Sequence, residues 1–234
     1  RTGRVAGVAL CADGHIGYSQ PVGGVVAYDS QLSISGVGAD IGCGNLAVRL
    51  DTRASEIAER LPMIAQDIAN TIAFGIARRT EARVEHPLFD SSLPWLAGDV
   101  LDLRPLAMDQ LGTVGGGNHY VDVFVEDATD AVWIGVHFGS RGFGHAVSQR
   151  YLHAAGGLDV VDDPPTLVNA DSELGVRYHA AMTLAGAYAA AGREWVVERV
   201  RQIIGGAVTD TVHNHHNYSW LEVHDGRPLW VVRK

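Results

Sequence analysis

"HYVDVFVEDATDAVWIGVHF", residues 119–138, sets valines, phenylalanines and a tryptophan at alternate positions on either side of a short polar break. Period-two alternation rich in β-branched and aromatic residues marks half-buried strands. The break around Thr129-Asp130 is short, so the sequence predicts an antiparallel hairpin of 119–127 with 131–138. Pairing through that turn sets 119–120 opposite 137–138, and two histidines, His119 and His137, then share one end of the ribbon. Each borders backbone stripped of side chains: "GGGNH" (115–119) before one, "HFGSRG" (137–142) after the other. Glycine there lets a ligand approach the main chain closely. The plainer alternative is two satisfied core histidines at the loose ends of a hairpin.

Working outward, "NLAVRLD" (45–51) alternates and predicts another strand, and "PVGGVVAYDSQLSIS" (21–35) predicts two short strands around a turn at Asp29-Ser30. Residues 54–79 place apolar side chains near helical spacing, with Pro62 able to open a second helix. Residues 80–105 carry three prolines and mixed polarity, and are expected to be irregular. Residues 144–155 predict a helix. Asp171 or Ser172 can cap a long helix over 173–191, which Gly192 ends or kinks before 193–204 resume. Strands and helices come in mixed order without βαβ alternation, so the fold class expected is α+β, and a length of 234 residues suits one or two domains.

Of the 234 residues, 47% are hydrophobic and 19% charged, which suits a chain with a substantial core. A formal charge of −9 leaves no global basic field, so nucleic acid would be held by local arginines or bound cations. Cys11 and Cys43 follow no secretory leader, and a reducing, cytoplasmic compartment is expected. "AAMTLAGAYAAAG" (180–192) is shorter than the ~20 residues that span a bilayer.

"GVGADIGCG" (36–44) is not a dinucleotide fingerprint, because Ile41 stands where the third glycine belongs. It offers instead Asp40 and Cys43, a carboxylate and a polarizable thiol three residues apart. They are either a ligand pair for a cation or a turn residue beside an inert buried thiol. "GSRG" (139–142) adds Ser140 and Arg141 beside backbone N–H groups, a cradle for an anion. In "TVHNHHNYSW" (211–220) an extended chain turns His213 and His215 to one side and His216 to the other, and His213 is taken as the ligand. Asp13 and His15, in "CADGHIGYSQPVGG" (11–24), are read as structural.

Six stretches in order, "DGHIGYSQPVGGVVAYD", "GVGADIGCG", "LGTVGGGNHYVDV", "VHFGSRGFGH", "NADSELGVRYHAAM" and "VHN", resemble the RtcB-type RNA ligase family. The resemblance implies an RtcB-like mixed fold, a β-strand core carrying a metal site and flanked by helices in a single catalytic domain over 1–234 that is incomplete at its C-terminus, and a GTP- and manganese-dependent ligase of tRNA splicing and RNA repair. Such an enzyme joins RNA 3′-phosphate or 2′,3′-cyclic phosphate ends to 5′-hydroxyl ends through GMP transfer.

Residue by residue, it implies one manganese ion on Asp40, Cys43 and His119, and a second on Cys43, His137 and His213, with Cys43 and His119 at the catalytic centre. Asn118 would contact the nucleotide, and Ser140 and Arg141 would border the phosphate. The nucleophilic histidine is expected beyond Lys234, in a part this chain lacks, and an archease-like helper is among the implied partners. Phe138 and the run "DIGCGNLAVR" depart from the family's pattern at the walls of the site. Arg78, Arg79, Arg83 and Arg141 are the arginines expected to grip RNA. The rival readings are a diverged metal-dependent phosphoesterase and a non-catalytic RNA-binding module.

Overall fold

The computed structural model describes residues 4–157 and 164–234. Its strands are β1 (Val5–His15), β2 (Val22–Tyr28), β3 (Gln31–Ser33), β4 (Gly44–Arg53), β5 (Tyr120–Glu126), β6 (Ala131–Phe138), β7 (Leu167–Asn169), β8 (Val208–His215), β9 (Tyr218–His224) and β10 (Arg227–Arg233). The α-helical segments are α1 (Ile34–Val37), α2 (Ala54–Ile57), α3 (Leu61–Thr71), α4 (Leu93–Ala97), α5 (Arg104–Gln110), α6 (Arg141–Ala154) and α7 (Glu173–Ile204). The fold is α+β, as expected. Two four-stranded sheets, ordered β1-β2-β10-β9 and β5-β6-β4-β8, and a small β3-β7 pair are antiparallel throughout.

The hairpin forms in the expected register, with Tyr120 opposite His137 and Phe124 opposite Trp133. Its partner on the other side of β6 is β4, where Asn45 pairs with His137 and Gly44 with Phe138. On β4 the residues Leu46, Val48 and Leu50 are buried, and they meet Ile134, Val136, Val196, Val200 and Ile204 in one core. Alternation thus turns one face of this sheet to α7 and leaves Asn45 on the other. A second core gathers Trp95, Phe143, Tyr178, Met182 and Tyr188 around the first half of α7.

Several elements differ from the sequence reading for identifiable reasons. α7 runs unbroken for 32 residues, because Gly192 serves packing: a Cβ there would sit 3.2 Å from Phe138 Cε2. The helix starts at Ser172, whose Oγ accepts from Gly175 N at 3.1 Å, and ends at Gly205. The helix expected over 54–79 stops at Thr71, since Phe74 bridges to Val114 and Gly75 N donates to Val114 O at 2.9 Å, a tertiary pairing that overrides helical spacing. The two strands over 21–35 form, but β2 and β3 join different sheets rather than each other. In the stretch 11–24, which carries Asp13 and His15, β1 continues as far as His15. Among the described residues no helix is long and apolar enough to cross a membrane.

Candidate metal centre

The centre lies where the loop 38–43 meets the ends of three strands. Cys43 N closes a turn on Asp40 O at 3.0 Å, and Gly42, at φ +72°, gives that turn a left-handed step. His216 N donates to Cys43 O at 2.8 Å, Gly42 N to Asn217 O at 2.8 Å and Ser140 N to Ile41 O at 3.2 Å. The turn is therefore stitched by backbone to the segments that follow β6 and β8, and Cys43 is buried at their junction.

Four other side chains converge on its sulfur. His119 Nε2 lies 2.9 Å from Asp40 Oδ2 and 3.7 Å from Cys43 Sγ, and His137 Nε2 lies 3.4 Å from the same sulfur. Asp40, Cys43 and His119 form one group whose ligand atoms all lie within 4.8 Å of one another, and Cys43, His137 and His216 form a second. The sulfur is common to both. Carboxylate, thiol and imidazoles together suit a borderline transition ion better than magnesium or calcium.

His213 is not in either group, contrary to the expectation from sequence. The alternation along β8 was read correctly, but the wrong face was taken. His213 pairs opposite Leu46, on the side of the sheet that faces α7, where its Nε2 accepts from Arg193 Nε at 3.1 Å. His216 falls on the opposite face, its ring 5.0 Å from that of His137. Only the register against β4, invisible in a single sequence, decides which histidine meets the sulfur.

The neighbours of these donors fix which ring nitrogens are free. His137 Nδ1 donates to Asn45 Oδ1 at 2.8 Å, so its Nε2 lone pair faces Cys43, while Tyr120 stacks on the ring at 5.5 Å. Arg141 Nη1 lies 3.1 Å from His119 Nδ1, on the edge of the ring away from Asp40. Gly115 makes room for this contact, since a Cβ there would lie 2.5 Å from both His119 Nδ1 and Arg141 Nη2. Gly139 does the same for the carboxylate, where a Cβ would lie 2.6 Å from Asp40 Cγ.

Burial works to raise the Asp40 carboxyl, but the His119 hydrogen bond and the nearby positive charges outweigh it and hold the group below the usual carboxylate range. Burial, and then the Asp40 charge, push the Cys43 thiol up. Burial, with repulsion from His216 and His119, lowers His137 to about 4, which leaves a neutral imidazole at ordinary pH.

Arg193 carried no signal in the sequence. It is fully buried on α7 beneath the centre, donating to Gly42 O at 2.8 Å, to Phe138 O at 2.6 Å, to His213, and to His215 Nδ1 at 2.9 Å. It thereby ties the residue before Cys43 and the residue after His137 to one rigid helix. A lone arginine in an amphipathic run reads as surface, and only the fold shows that it is not.

The remaining site residues fall as follows. Asn118 is exposed, with Nδ2 3.5 Å from His137 Nε2, at a cavity of about 500 Å³ that Asp40, Cys43, His216 and Arg233 also line. Arg141 opens α6 at φ +56°, and its Nε lies 3.4 Å from Thr113 Oγ1. Ser140 is buried, with no hydrogen-bond partner for its hydroxyl among the described residues. Asp13 and His15 line the same cavity as Asn118, and His15 Nδ1 donates to Asp13 O at 2.8 Å.

The family model for tRNA-splicing ligase RtcB matches residues 2–102 and 98–234. RNA-splicing ligase RtcB1 of Escherichia coli is 27% identical over 97% of this chain and 63% of its own length. The tRNA-splicing ligase RtcB of Thermococcus kodakarensis is 28% identical over 94% of this chain and 58% of its own. RNA-splicing ligase RtcB homolog 1 of Entamoeba dispar is 28% identical over 86% and 47%. The chain therefore spans less than two thirds of the length of these relatives.

Proposed function

The chain belongs to the RtcB family of tRNA-splicing ligases, and from that membership we propose that it carries the two-manganese centre of a GTP-dependent enzyme that joins RNA ends. The ends are a 3′-phosphate or 2′,3′-cyclic phosphate and a 5′-hydroxyl. One observation carries the reading: two groups of three donors, drawn from distant parts of the chain, share the sulfur of Cys43.

Asp40, Cys43 and His119 would hold one ion, and Cys43, His137 and His216 the other. Two bound ions supply charge stabilisation to a phosphoryl group and ease attack by an oxygen nucleophile. The chain's own residues prepare that surface. Asn45 and Tyr120 orient His137, and Arg193 fixes the two backbone segments that carry Cys43 and His137. Arg141, beside His119, brings a guanidinium whose planar donors match phosphate oxygens. Asn118, at the mouth of the adjoining cavity, is the residue for the guanine nucleotide.

Manganese titration, followed by the electron paramagnetic resonance of the free ion, tests the reading. Two ions are expected for the parent and for His213→Ala, one for His216→Ala, and none for Cys43→Ala. Two ions retained by Cys43→Ala would retire the assignment. Joining of 3′-phosphate to 5′-hydroxyl RNA with GTP, lost in the same variants that lose ions, would extend it to the reaction.

A further inference from the structure

On the far side of the glycine loop lies a larger cavity, of about 650 Å³, lined by Phe74, Arg78, Arg79, Glu81, Trp195 and Arg199 among others. We propose that this cleft binds the single-stranded RNA adjoining the ends to be joined, holding its phosphates with Arg78, Arg79 and Arg199 and a base against Trp195 or Phe74. This rests on reading the chain as part of an RNA-joining enzyme.

The charge of the cleft is the first ground. The chain as a whole carries −9, so three arginines around one cavity depart from the surface average. Their acids do not cancel them. Asp109 is shared between Arg79, at 3.1 Å, and Arg83, at 2.8 Å, which leaves one positive charge over. Arg199 donates to Gln202 Oε1 at 3.0 Å rather than to a carboxylate, and among the described residues no ion pair engages Arg78. Glu81 is the acid in the lining.

The second ground is aromatic. Trp195 seats its indole against Gly112, where a Cβ would lie 2.5 Å from Trp195 Cε3, and the Arg199 guanidinium lies 5.1 Å from the ring centroid. Phe74 is 38% exposed although its neighbour Ile72 is buried. A rigid ring beside a guanidinium is the kind of surface on which sequence-tolerant single-strand binding is built.

The third ground is continuity with the metal centre. Phe74 of the cleft's wall bridges to Val114, the next residue Gly75 donates its N–H to Val114 O, and Ile76 lies over Gly116. Asn118 and His119 follow directly in the chain. The segment that borders the cleft thus runs directly into the loop that carries two of the site residues.

The test is fluorescence anisotropy of a short fluorescein-labelled single-stranded RNA on the 234-residue chain in EDTA, titrated over salt. Each phosphate contact in single strands adds about 0.7 to the slope of log affinity against log salt. Arg78→Ala/Arg199→Ala is expected to lower that slope by about 1.4 and to weaken binding about tenfold or more at moderate salt. Arg78→Lys/Arg199→Lys is expected to keep the slope, and Arg227→Ala, on the opposite sheet, to change nothing. All of these side chains are exposed, and an unchanged melting temperature confirms that each variant is folded. An unchanged slope in the alanine pair, no binding by the parent, or displacement by polyglutamate as effective as by unlabelled RNA would each overturn the proposal. Manganese stoichiometry separates the two readings: RNA binding unaltered with two ions retained retires the cleft alone, whereas RNA binding lost in the pair while Cys43→Ala keeps its ions retires the metal assignment alone.

Discussion

Replacing Asn45 by leucine tests whether the centre depends on how its histidines are oriented, not only on which residues are present. In the structure Asn45 Oδ1 is the acceptor that holds His137 Nδ1–H at 2.8 Å, and His137 is 7% exposed. With leucine at 45, an ion taken by His137 Nε2 would require the Nδ1 proton to lie in a buried place with no acceptor. Leaving a buried donor unpaired costs about 1–3 kcal/mol, and loss of such outer partners typically weakens metal binding about 10–100-fold. The two figures agree. That loss should fall on one ion, the one shared by Cys43, His137 and His216, because Asp40 and His119 do not touch Asn45. In a manganese titration the parent should bind two ions of comparable affinity, and Asn45→Leu one unchanged ion and one weakened by that factor. Asn45→Asp, which keeps an acceptor, should restore the second. Equal weakening of both ions, or none, would refute the account of how His137 is aimed.

Acidification should destabilise the metal-free protein in a defined window. Burial, helped by neighbouring positive charge, holds both His137 and His213 at about 4 against an ordinary 6.5. A folded-state value below the unfolded one means that the unfolded chain binds protons the native state refuses. The associated stability is therefore complete above pH 6.5 and is lost as pH falls from there toward 4, at a limiting slope of about 1.4 kcal/mol per pH unit for each group. Urea midpoints across that range measure it, and a flat profile would contradict it. Arg193→Met should cost about 2–6 kcal/mol, because it removes the donor to buried acceptors at Gly42 and Phe138, each costing about 1–3 kcal/mol when left unpaired. The folded fraction should also bind manganese more weakly than the parent, whereas stability and metal binding both at parental values would show that Arg193 is not an anchor.

What the sequence disclosed was whatever rests on local periodicity. The hairpin's alternation delivered the register that brings His119 and His137 to one end, and the glycines around them marked where the backbone is approached. Long-range register was not legible. Nothing in "HNHH" says which histidine meets Cys43, because that depends on Leu46 pairing with His213 rather than with a neighbour. Nor can periodicity separate a glycine that ends a helix from one that admits a ring, so Gly192 looked like a break until Phe138 was seen against it. Arg193 stayed hidden for the same reason, since its four acceptors come from segments remote in the chain. The family resemblance supplied the motifs but carried over the histidine of "VHN", and sheet geometry moves that position to His216.

The donors that share the sulfur come from segments far apart in sequence: Asp40 and His119 are separated by 79 positions, and Cys43 and His137 by 94. Closing loops of that length costs entropy, and pairing of β4 with β6 and β8 already brings the segments that carry Cys43, His137 and His216 together. Once those strands have paired the donors are already gathered, so an ion would load onto a finished scaffold. A chain folded without metal would then keep a site ready to be charged later.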